Sequence, residues 1–255
     1  MSRWSANSLR IALAPGEVAL SRPEGTPATR VLTTEALDLH SLLPLLEIAL
    51  AEAEWRRARV EVVVSQHFVR HVLTPPPGKA LSRVEEHALV KGSLRDIYGD
   101  TAEEWQLQVM SQPPQYGLLG AAMDARFLVQ LDALLTRHGF RDIAIHPLAT
   151  VAARHLPRNY AGWWVLAESG WLSLFAGTTQ AWQHVTAQPV DAEWRGALPD
   201  LIARETELAA QPPASAVWVQ AVGTGAVAAP AVSNLKWRVL PHNPETRGAL
   251  ALLEY

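Results

Sequence analysis

The chain has 255 residues, with 22 Lys and Arg against 25 Asp and Glu, nine His, ten Trp and no Cys, and 49% of its residues are hydrophobic. This is enough apolar material for one large domain or two small ones. The formal net charge of -3 gives no general attraction to nucleic acid, because phosphate binding requires a clustered cationic surface. The absence of Cys excludes disulfides, thiolate metal sites and thiol nucleophiles.

The N-terminal residues contain no apolar run of the length that a secretory signal needs. The least polar stretch, Ala216 to Val232, consists largely of Ala, Gly and Val, and it is less apolar than a bilayer crossing requires. We interpret it as strand, turn and helix of a soluble core. We therefore expect no membrane span in this chain.

Short apolar runs alternate with helical patterns along the first part of the chain, which predicts a mixed α/β architecture. Ser82 is a predicted N-cap with Glu85 as its capping-box partner. The predicted elements, in chain order, are strands Leu9–Leu13, Val18–Leu20 and Thr29–Thr33, helix His40–Arg56, strand Val60–Val64, helix Ser82–Tyr98, strands Trp105–Met110 and Tyr116–Ala122, helix Asp124–Arg137, strand Asp142–Ile145 and helix Leu148–His155.

The second part of the chain repeats this order of elements. Its predicted elements are strands Trp163–Ala167, Trp171–Phe175 and Ala181–Thr186, helix Asp191–Ala210, strand Val217–Val222, the turn Gly223–Gly225, a short Ala-rich helix and strand Trp237–Leu240. Each part begins with three strands, a helix and a further strand. The repetition predicts two related halves, residues 8–157 and 158–255, which meet near Leu156–Tyr160.

A repeated order of this kind, in a chain of this size, is typical of the actin-like fold. Several segments also resemble a proteobacterial group of pilus-assembly proteins. These segments are Val60–Ser65 with Phe68–Arg70 and Leu73, Glu85–Ala88 in the helix that runs to Tyr98–Gly99, Trp105, Ala121–Asp124 and Gly162–Leu172. Over about Leu9 to Leu240, the chain is similar to the PilM actin-like proteins of type IV pili and to the cytoplasmic actin-like domain of the L protein of type II secretion (GspL).

This resemblance implies an α/β, actin-like (ribonuclease H-like) fold with two related halves. It also implies a scaffold in the cytoplasm, peripheral to the inner membrane. Such a scaffold binds the cytoplasmic tail of a bitopic inner-membrane assembly protein and, through it, an assembly ATPase and a platform protein. Members of the group differ in whether they bind ATP.

An actin-like ATPase needs a carboxylate just after its first strand, a second acidic hairpin, and a Gly-rich turn that approaches the nucleoside. The first hairpin, Ala12–Glu17, has no Asp at its strand end, and Pro15 removes one backbone donor. Glu17 is the only acid nearby, and it lies beyond the turn. We therefore expect weak binding of Mg-ATP or none, and no catalytic residues.

The second hairpin keeps the acid Glu168 in the sequence Glu168–Ser169–Gly170, but Trp171 follows where small hydroxyl residues would surround phosphate. A tight turn with a solvated Glu is the competing interpretation. Gly223–Thr224–Gly225 fits the nucleoside turn, or simply close strand–helix packing. If a cofactor binds, Glu168, Ser169, Gly223, Thr224 and Gly225 are the candidate residues for ATP with Mg²⁺ in a degenerate nucleotide cleft.

His67 and His71 have the four-residue spacing of two zinc ligands on a helix. We expect them on a strand, where four residues span about 13 Å and cannot share one metal, so we predict no metal site. Ser169 lacks the Gly-x-Ser-x-Gly frame of a hydrolase nucleophile.

The strand Val60–Val64, continued through Phe68, Val69 and Arg70, is the candidate groove for the partner's tail. It offers apolar anchors, and Arg70 could pair with an acid or a peptide carbonyl. Because Phe68 and Val69 point to opposite strand faces, we expect one of them to lie in the core.

Seven Trp residues lie in the second half, and Trp163 and Trp164 alternate between the two faces of their strand. Core filling explains them, but an exposed Trp would suit an interface.

Three functional hypotheses remain open. The first is the non-catalytic scaffold of a type IV pilus or type II secretion type machine. The second is an ATP-binding, slow ATPase of the same fold. The third is a soluble α/β domain with an unrelated binding role.

Overall fold

The computed structural model describes residues 8–22, 28–51, 59–209, 216–225 and 235–255. The strands are β1 Ser8–Ala14, β2 Glu17–Arg22, β3 Ala28–Thr33, β4 Arg59–Val64, β5 Arg70–Leu73, β6 Trp105–Met110, β7 Leu119–Asp124, β8 Ile143–Pro147, β9 Ala161–Glu168, β10 Trp171–Thr178, β11 Trp182–Pro189, β12 Ala216–Ala221 and β13 Lys236–Val239. The helices are α1 Leu42–Leu50, α2 Arg83–Tyr98, α3 Ala125–Arg137, α4 Leu148–Ala152, α5 Trp194–Leu208 and α6 Gly248–Leu252.

The chain divides into two compact units. The first comprises the chain up to Val69, Asp124–Arg154 and Glu245–Tyr255, and the second comprises Arg70–Met123 and His155–Pro244. One passage between the units lies at Arg154 and His155, close to the boundary predicted between 157 and 158. The assignment of 8–157 and 158–255 to two related halves stays a prediction.

The first unit is built on a five-stranded sheet of order β3-β2-β1-β4-β8. β1 pairs antiparallel with β2 and parallel with β4, and β4 pairs parallel with β8. The central strands β1 and β4 are almost wholly buried, as expected for strands covered on two sides, although one face also carries Arg10 and the buried Glu61. Helix α6 packs against β1 and β2, and helix α1 packs against β2 and β3.

The second unit contains a five-stranded sheet of order β11-β10-β9-β12-β13. β9 pairs antiparallel with β10 and parallel with β12, and β12 pairs parallel with β13. Thus both sheets place three antiparallel strands beside two parallel ones in the same order. These mixed sheets, with helices packed on them, confirm the predicted α/β fold class.

A smaller sheet of order β5-β7-β6 completes the second unit. Helix α2 covers it and begins with the predicted capping box, in which the Ser82 hydroxyl accepts a hydrogen bond from the Glu85 backbone and the Glu85 side chain accepts one from the Ser82 backbone. The apolar core beneath α2 contains Val72, Val90, Leu94, Leu118 and Ala122.

Strand β5 lies beside β11, which places the small sheet against the larger sheet of its own unit. Gln112, in the loop after β6, also hydrogen-bonds to β11 as a neighbouring strand would. Its side-chain oxygen accepts from Trp182 N at 2.6 Å, and its Nε2 donates to Trp182 O at 3.1 Å. One glutamine amide therefore satisfies both backbone groups of Trp182.

Trp163 and Trp164 are both buried, each with 1% of its surface exposed, although they lie on opposite faces of β9. Trp163 packs beneath α5 and donates through Nε1 to Thr206. Trp164 packs against Phe175 and Trp182. The sheet is covered on both faces at this point, so core filling explains both residues and neither is an interface Trp.

The structure also corrects several predicted elements. The run after β4 does not continue as one strand: Gln66–Phe68 form a short 3₁₀ turn that the Ser65 hydroxyl caps, and a new strand begins at Arg70. Strand β7 begins three residues later than predicted, at Leu119. Helix α6 was not predicted. The Ala-rich helix after Gly225 and the end of the helix predicted to run to Arg56 lie outside the described residues.

Among the residues that the structure describes, none of the helices combines the length and the apolar character that a membrane crossing requires.

Candidate functional site

The β1–β2 hairpin is closed by a two-residue turn, Pro15–Gly16. Gly16 has a φ of 71°, and an added Cβ would lie 2.8 Å from the backbone oxygen of Thr34. Only Gly fits this close approach. Ala14 ends β1 and pairs with Glu17, so no acid stands at the end of the first strand.

Glu17 caps helix α6. Its Oε2 accepts a hydrogen bond from Ala249 N at 2.8 Å, which satisfies one of the unpaired N–H groups at the beginning of that helix. Gly248, with a φ of 51°, lets the chain pass close to the carboxylate, because a Cβ at this position would collide with it. The single acid of the first hairpin is thus already bonded within its own unit.

The β9–β10 hairpin occupies the equivalent place in the second sheet. Glu168 pairs with Trp171, and the turn Ser169–Gly170 places Gly170 at a φ of 75°. Glu168 is only 4% exposed, so the interpretation as a solvated Glu is wrong, while Ser169 is exposed. Trp171 is partly buried.

Arg70 lies over the Trp171 ring, with its Cζ atom 5.7 Å from the ring centroid. A guanidinium at this distance from an indole is attracted by the ring quadrupole. The next residue, His71, makes an edge-to-face contact with Phe175 at 5.4 Å. Burial, and then the charge of Arg70, lower the pKa of His71 to about 4. The structure therefore brings Arg70, predicted as a partner contact, to the hairpin predicted as a phosphate loop.

The glycine turn follows β12 directly. Gly223 and Gly225 have φ values of 68° and 83°. Val222 N donates to Ala167 O at 2.8 Å, because β12 runs parallel to β9. Consequently, the turn and the Glu168–Ser169 hairpin leave the sheet at the ends of adjacent strands.

Arg195 of α5 holds this turn. Its Nη2 donates to Thr224 O at 2.6 Å, and its Cζ lies 4.8 Å from the Trp194 ring centroid. In the described part of the chain, the buried Thr224 hydroxyl has no hydrogen-bond partner. Neither Arg195 nor its role was predicted, because no local sequence pattern links an Arg on a helix to a backbone carbonyl 29 residues further along the chain.

The three residues of the predicted tail groove have different surroundings. Val69 is buried, with 1% exposed, as expected for one member of the pair. Phe68 ends the 3₁₀ turn and is partly buried, and Arg70 begins β5. The continuous strand expected to carry all three does not form.

The two candidate zinc ligands also lie in different elements. His67 belongs to the 3₁₀ turn, not to a strand as expected, and His71 belongs to β5. No group of His, Cys, Asp or Glu within the described ranges is arranged to hold a metal ion.

Comparison with known proteins gives no matching family model and no matching curated protein. Solved structures do match. The cytoplasmic domain of EpsL, an inner-membrane component of the type II secretion system of Vibrio cholerae, is 17% identical, with a TM-score of 0.58, and the match covers 97% of this chain and 93% of that chain. A Bacteroides thetaiotaomicron protein with an actin-like ATPase fold and unknown function is 10% identical, with a TM-score of 0.57, over 100% of this chain and 99% of that chain.

The fold is actin-like.

A third structure, a PilM–PilN type IV pilus biogenesis complex, is 12% identical, with a TM-score of 0.51, and the match covers 84% of this chain and 81% of that chain. At these identities the similarity shows the fold. It confirms the actin-like architecture that the resemblance of the sequence implied.

The first hairpin offers no suitable carboxylate for the Mg²⁺ of an actin-like ATPase. Ala14 has no donor atom in its side chain, and the carboxylate of Glu17 is hydrogen-bonded to α6. A hydrated Mg²⁺ prefers oxygen ligands, usually one or two carboxylates together with phosphate oxygens. The residues of the first hairpin therefore do not fit the metal of an actin-like ATPase.

Proposed function

We propose that this chain is a non-catalytic scaffold of a type IV pilus or type II secretion type machine. The observation that carries the proposal is that each of the three loops expected to surround nucleotide is engaged by the chain itself. Ala249 binds Glu17, Arg70 lies over Trp171, and Arg195 holds Thr224. Loops held in this way stabilise the fold instead of binding nucleotide. We therefore propose that the fold functions by binding a partner protein.

The phosphoryl-transfer chemistry of an ATPase depends on a metal that neutralises the charge developing on the phosphate oxygens. An uncharged Ala14, the engaged Glu17 and the bulky Trp171 all disfavour that chemistry. We therefore propose that no Mg-ATP is required for function.

Calorimetric titration with ATP in excess Mg²⁺ tests this proposal. We expect weak heats without saturation. Saturable binding in the micromolar range would contradict the non-catalytic proposal and favour an ATP-binding, slow ATPase.

One observation favours that second candidate. The Thr224 hydroxyl is buried without a partner among the described residues, beside two glycines in the left-handed region, and a nucleoside could supply the missing hydrogen bond. If ATP binds, Thr224→Val should weaken it, while Ser169→Ala tests the adjacent hairpin.

The partner we propose is the cytoplasmic tail of a bitopic inner-membrane assembly protein, with an assembly ATPase as a further member of the machine. Support comes from the fold shared with a PilM–PilN complex and with the cytoplasmic domain of an inner-membrane secretion component. The chain would then lie in the cytoplasm, peripheral to the inner membrane.

We propose Phe68 and Arg70 as contacts of that tail, because both remain partly accessible. The full chain is immobilised and incubated with detergent-solubilised inner membranes of its host, and the tail of the recovered bitopic protein is then synthesised and titrated.

Arg70→Glu should weaken binding of that peptide at least tenfold, whereas Arg141→Glu, at an exposed position in the loop after α3, should not. Recovery of no bitopic protein would contradict the scaffold proposal. Equal binding by both variants would contradict only the placement of the tail.

A further inference from the structure

Strand β6, Trp105–Met110, forms an edge of the three-stranded sheet. The order β5-β7-β6 gives β6 one neighbour, β7, and no strand in the described part of the chain lies beyond it. An edge strand presents unpaired backbone N–H and C=O groups in a row, which can pair with a strand of another molecule.

The sequence of β6 lacks the features that usually prevent such pairing. Trp-Gln-Leu-Gln-Val-Met contains no charged residue, no Pro and no Gly. Edge strands of soluble proteins are commonly protected by Lys, Pro or bulges. The edge strand β13 of the larger sheet carries Lys236 and Arg238, and β3 of the first unit carries Arg30.

The two faces of β6 are clearly different. Trp105, Leu107 and Val109 pack against the core beneath α2. Gln106 and Gln108 alternate with them and are exposed. A strand that pairs with β6 must therefore be apolar on one face and uncharged on the other, where Met110 is exposed beside the two glutamines.

The strand β6 of a second copy meets this requirement. In an antiparallel pair with its two-fold axis at Leu107, residues whose numbers are symmetric about this position lie opposite each other. Trp105 then faces the Val109 position and Gln106 faces the Gln108 position of the other copy. Apolar residues pair with apolar residues, and amides pair with amides that can donate and accept in turn.

The charges flanking β6 also permit this pairing. Glu103 and Glu104 precede the strand, and uncharged Ser111 and Gln112 follow it. In the antiparallel arrangement, the acidic end of each copy faces the uncharged end of the other, so like charges do not meet across the axis. A parallel arrangement would place the acidic ends together.

We propose that β6 is a self-association surface, through which two copies join their small sheets into one continuous six-stranded sheet. The contact is isologous and closes at two copies. It goes beyond the proposed scaffold function, since it needs neither the tail nor nucleotide. Because a pair of short strands buries less than a standard interface, we expect a weak, concentration-dependent dimer.

A charge-swap experiment tests the register. One variant carries Gln106→Lys with Gln108→Lys, and a second carries Gln106→Glu with Gln108→Glu. In each variant alone, like charges face each other twice across the axis, and we expect self-association to weaken at least tenfold, as measured by sedimentation equilibrium. In the mixture of the two variants, opposite charges face each other, and we expect a heterodimer to form.

A matched control carries Gln115→Lys with Gln180→Lys, at two glutamines that are exposed in loops. It should dimerise as the natural chain does. Hydrogen exchange gives a second readout: amides at alternate positions of Trp105–Met110 should become protected as protein concentration rises.

The proposal is overturned by any of three results. The first is a natural chain that stays monomeric at every concentration tested. The second is a dimer that both charge variants retain. The third is a mixture of folded Lys and Glu variants that fails to associate. None of these results bears on the binding of a tail, so the scaffold proposal is tested separately.

Discussion

The β1–β2 and β9–β10 hairpins occupy equivalent places in two sheets of the same strand order, yet they hold different parts of the chain. In the first hairpin, the residue after the turn is Glu17, which binds the beginning of α6. In the second, the corresponding residue is Trp171, which lies beneath Arg70 at the beginning of β5. Each hairpin attaches a segment of its own unit that is distant in sequence.

The two hairpins also carry their acidic residues on opposite sides of the turn. The second hairpin has Glu168 at the strand end, where the first has Ala14, and Glu168 is buried. The first has its acid after the turn, where it serves as a helix cap. The comparison teaches that the same turn geometry can be kept while its chemistry is replaced, since a hairpin is specified by its glycine and strand pairing more than by its other residues.

The largest expected effect is a pH dependence of stability that arises from His71, which packs against Phe175 in the second strand of the β9–β10 hairpin. Burial and Arg70 lower the pKa of His71 to about 4 from 6.5, so the unfolded chain binds a proton that the folded protein does not. Stability is therefore full above about pH 6.5 and falls as the pH approaches 4, by at most about 3 kcal/mol. Urea unfolding at a series of pH values measures this loss.

His71→Leu should remove that part of the pH dependence, because Leu does not titrate. His87→Leu, at an exposed position on α2, is the matched control and should leave the profile as it is. An unchanged profile in His71→Leu would show that another group governs the acid sensitivity.

The next effect concerns the attachment at the first hairpin. Gly248→Ala places a Cβ against the Glu17 carboxylate at a left-handed position. We expect a loss of about 2 to 3 kcal/mol, from the left-handed strain together with the lost cap. Chemical denaturation measures it, and Gly92→Ala, where an added Cβ meets nothing within 4 Å, should cost nothing.

The double variant Glu17→Ala with Gly248→Ala sharpens this test. Removing the carboxylate relieves the collision, so the loss in the double variant should be smaller than the sum of the two single losses. Simple additivity would mean that Glu17 and α6 do not act together.

Much of the fold could be predicted from the sequence, because period and turn chemistry are local signals. The Ser82–Glu85 capping box and the strand Trp105–Met110 were predicted at their observed positions. The break after Val64 was not predicted, because Phe68 and Val69 read as a continued apolar run. The cause of the break is the Ser65 hydroxyl, which caps a 3₁₀ turn instead of extending the strand.

The candidate site was less predictable. The glycines of the hairpins and of the turn were found because left-handed positions require them. The bonds from Glu17 to Ala249 and from Arg195 to Thr224 join residues far apart in the chain, and no local pattern marks such pairs. Burial of Glu168 could not be predicted either, because a Glu beside a turn usually points to solvent.

The smallest expected effect comes from the contact between Arg70 and Trp171 at the second hairpin, which can be tested without titrating His71. Arg70→Gln removes the cation from the Trp171 ring, 5.7 Å away, and we expect a loss of about 0.5 to 1 kcal/mol. Because Arg70 and Trp171 have other neighbours, a double-mutant cycle with Trp171→Leu is needed to isolate their mutual contribution. The coupling should be of the same size as the loss and should persist in moderate salt, since the pair is partly shielded from water.

Arg141→Gln, paired with Trp171→Leu, supplies the matched cycle and should give no coupling. A coupling near zero for Arg70 would mean that β5 is attached to its unit through His71 and its apolar contacts alone, and the parallel between the two hairpins would then fail at the second one.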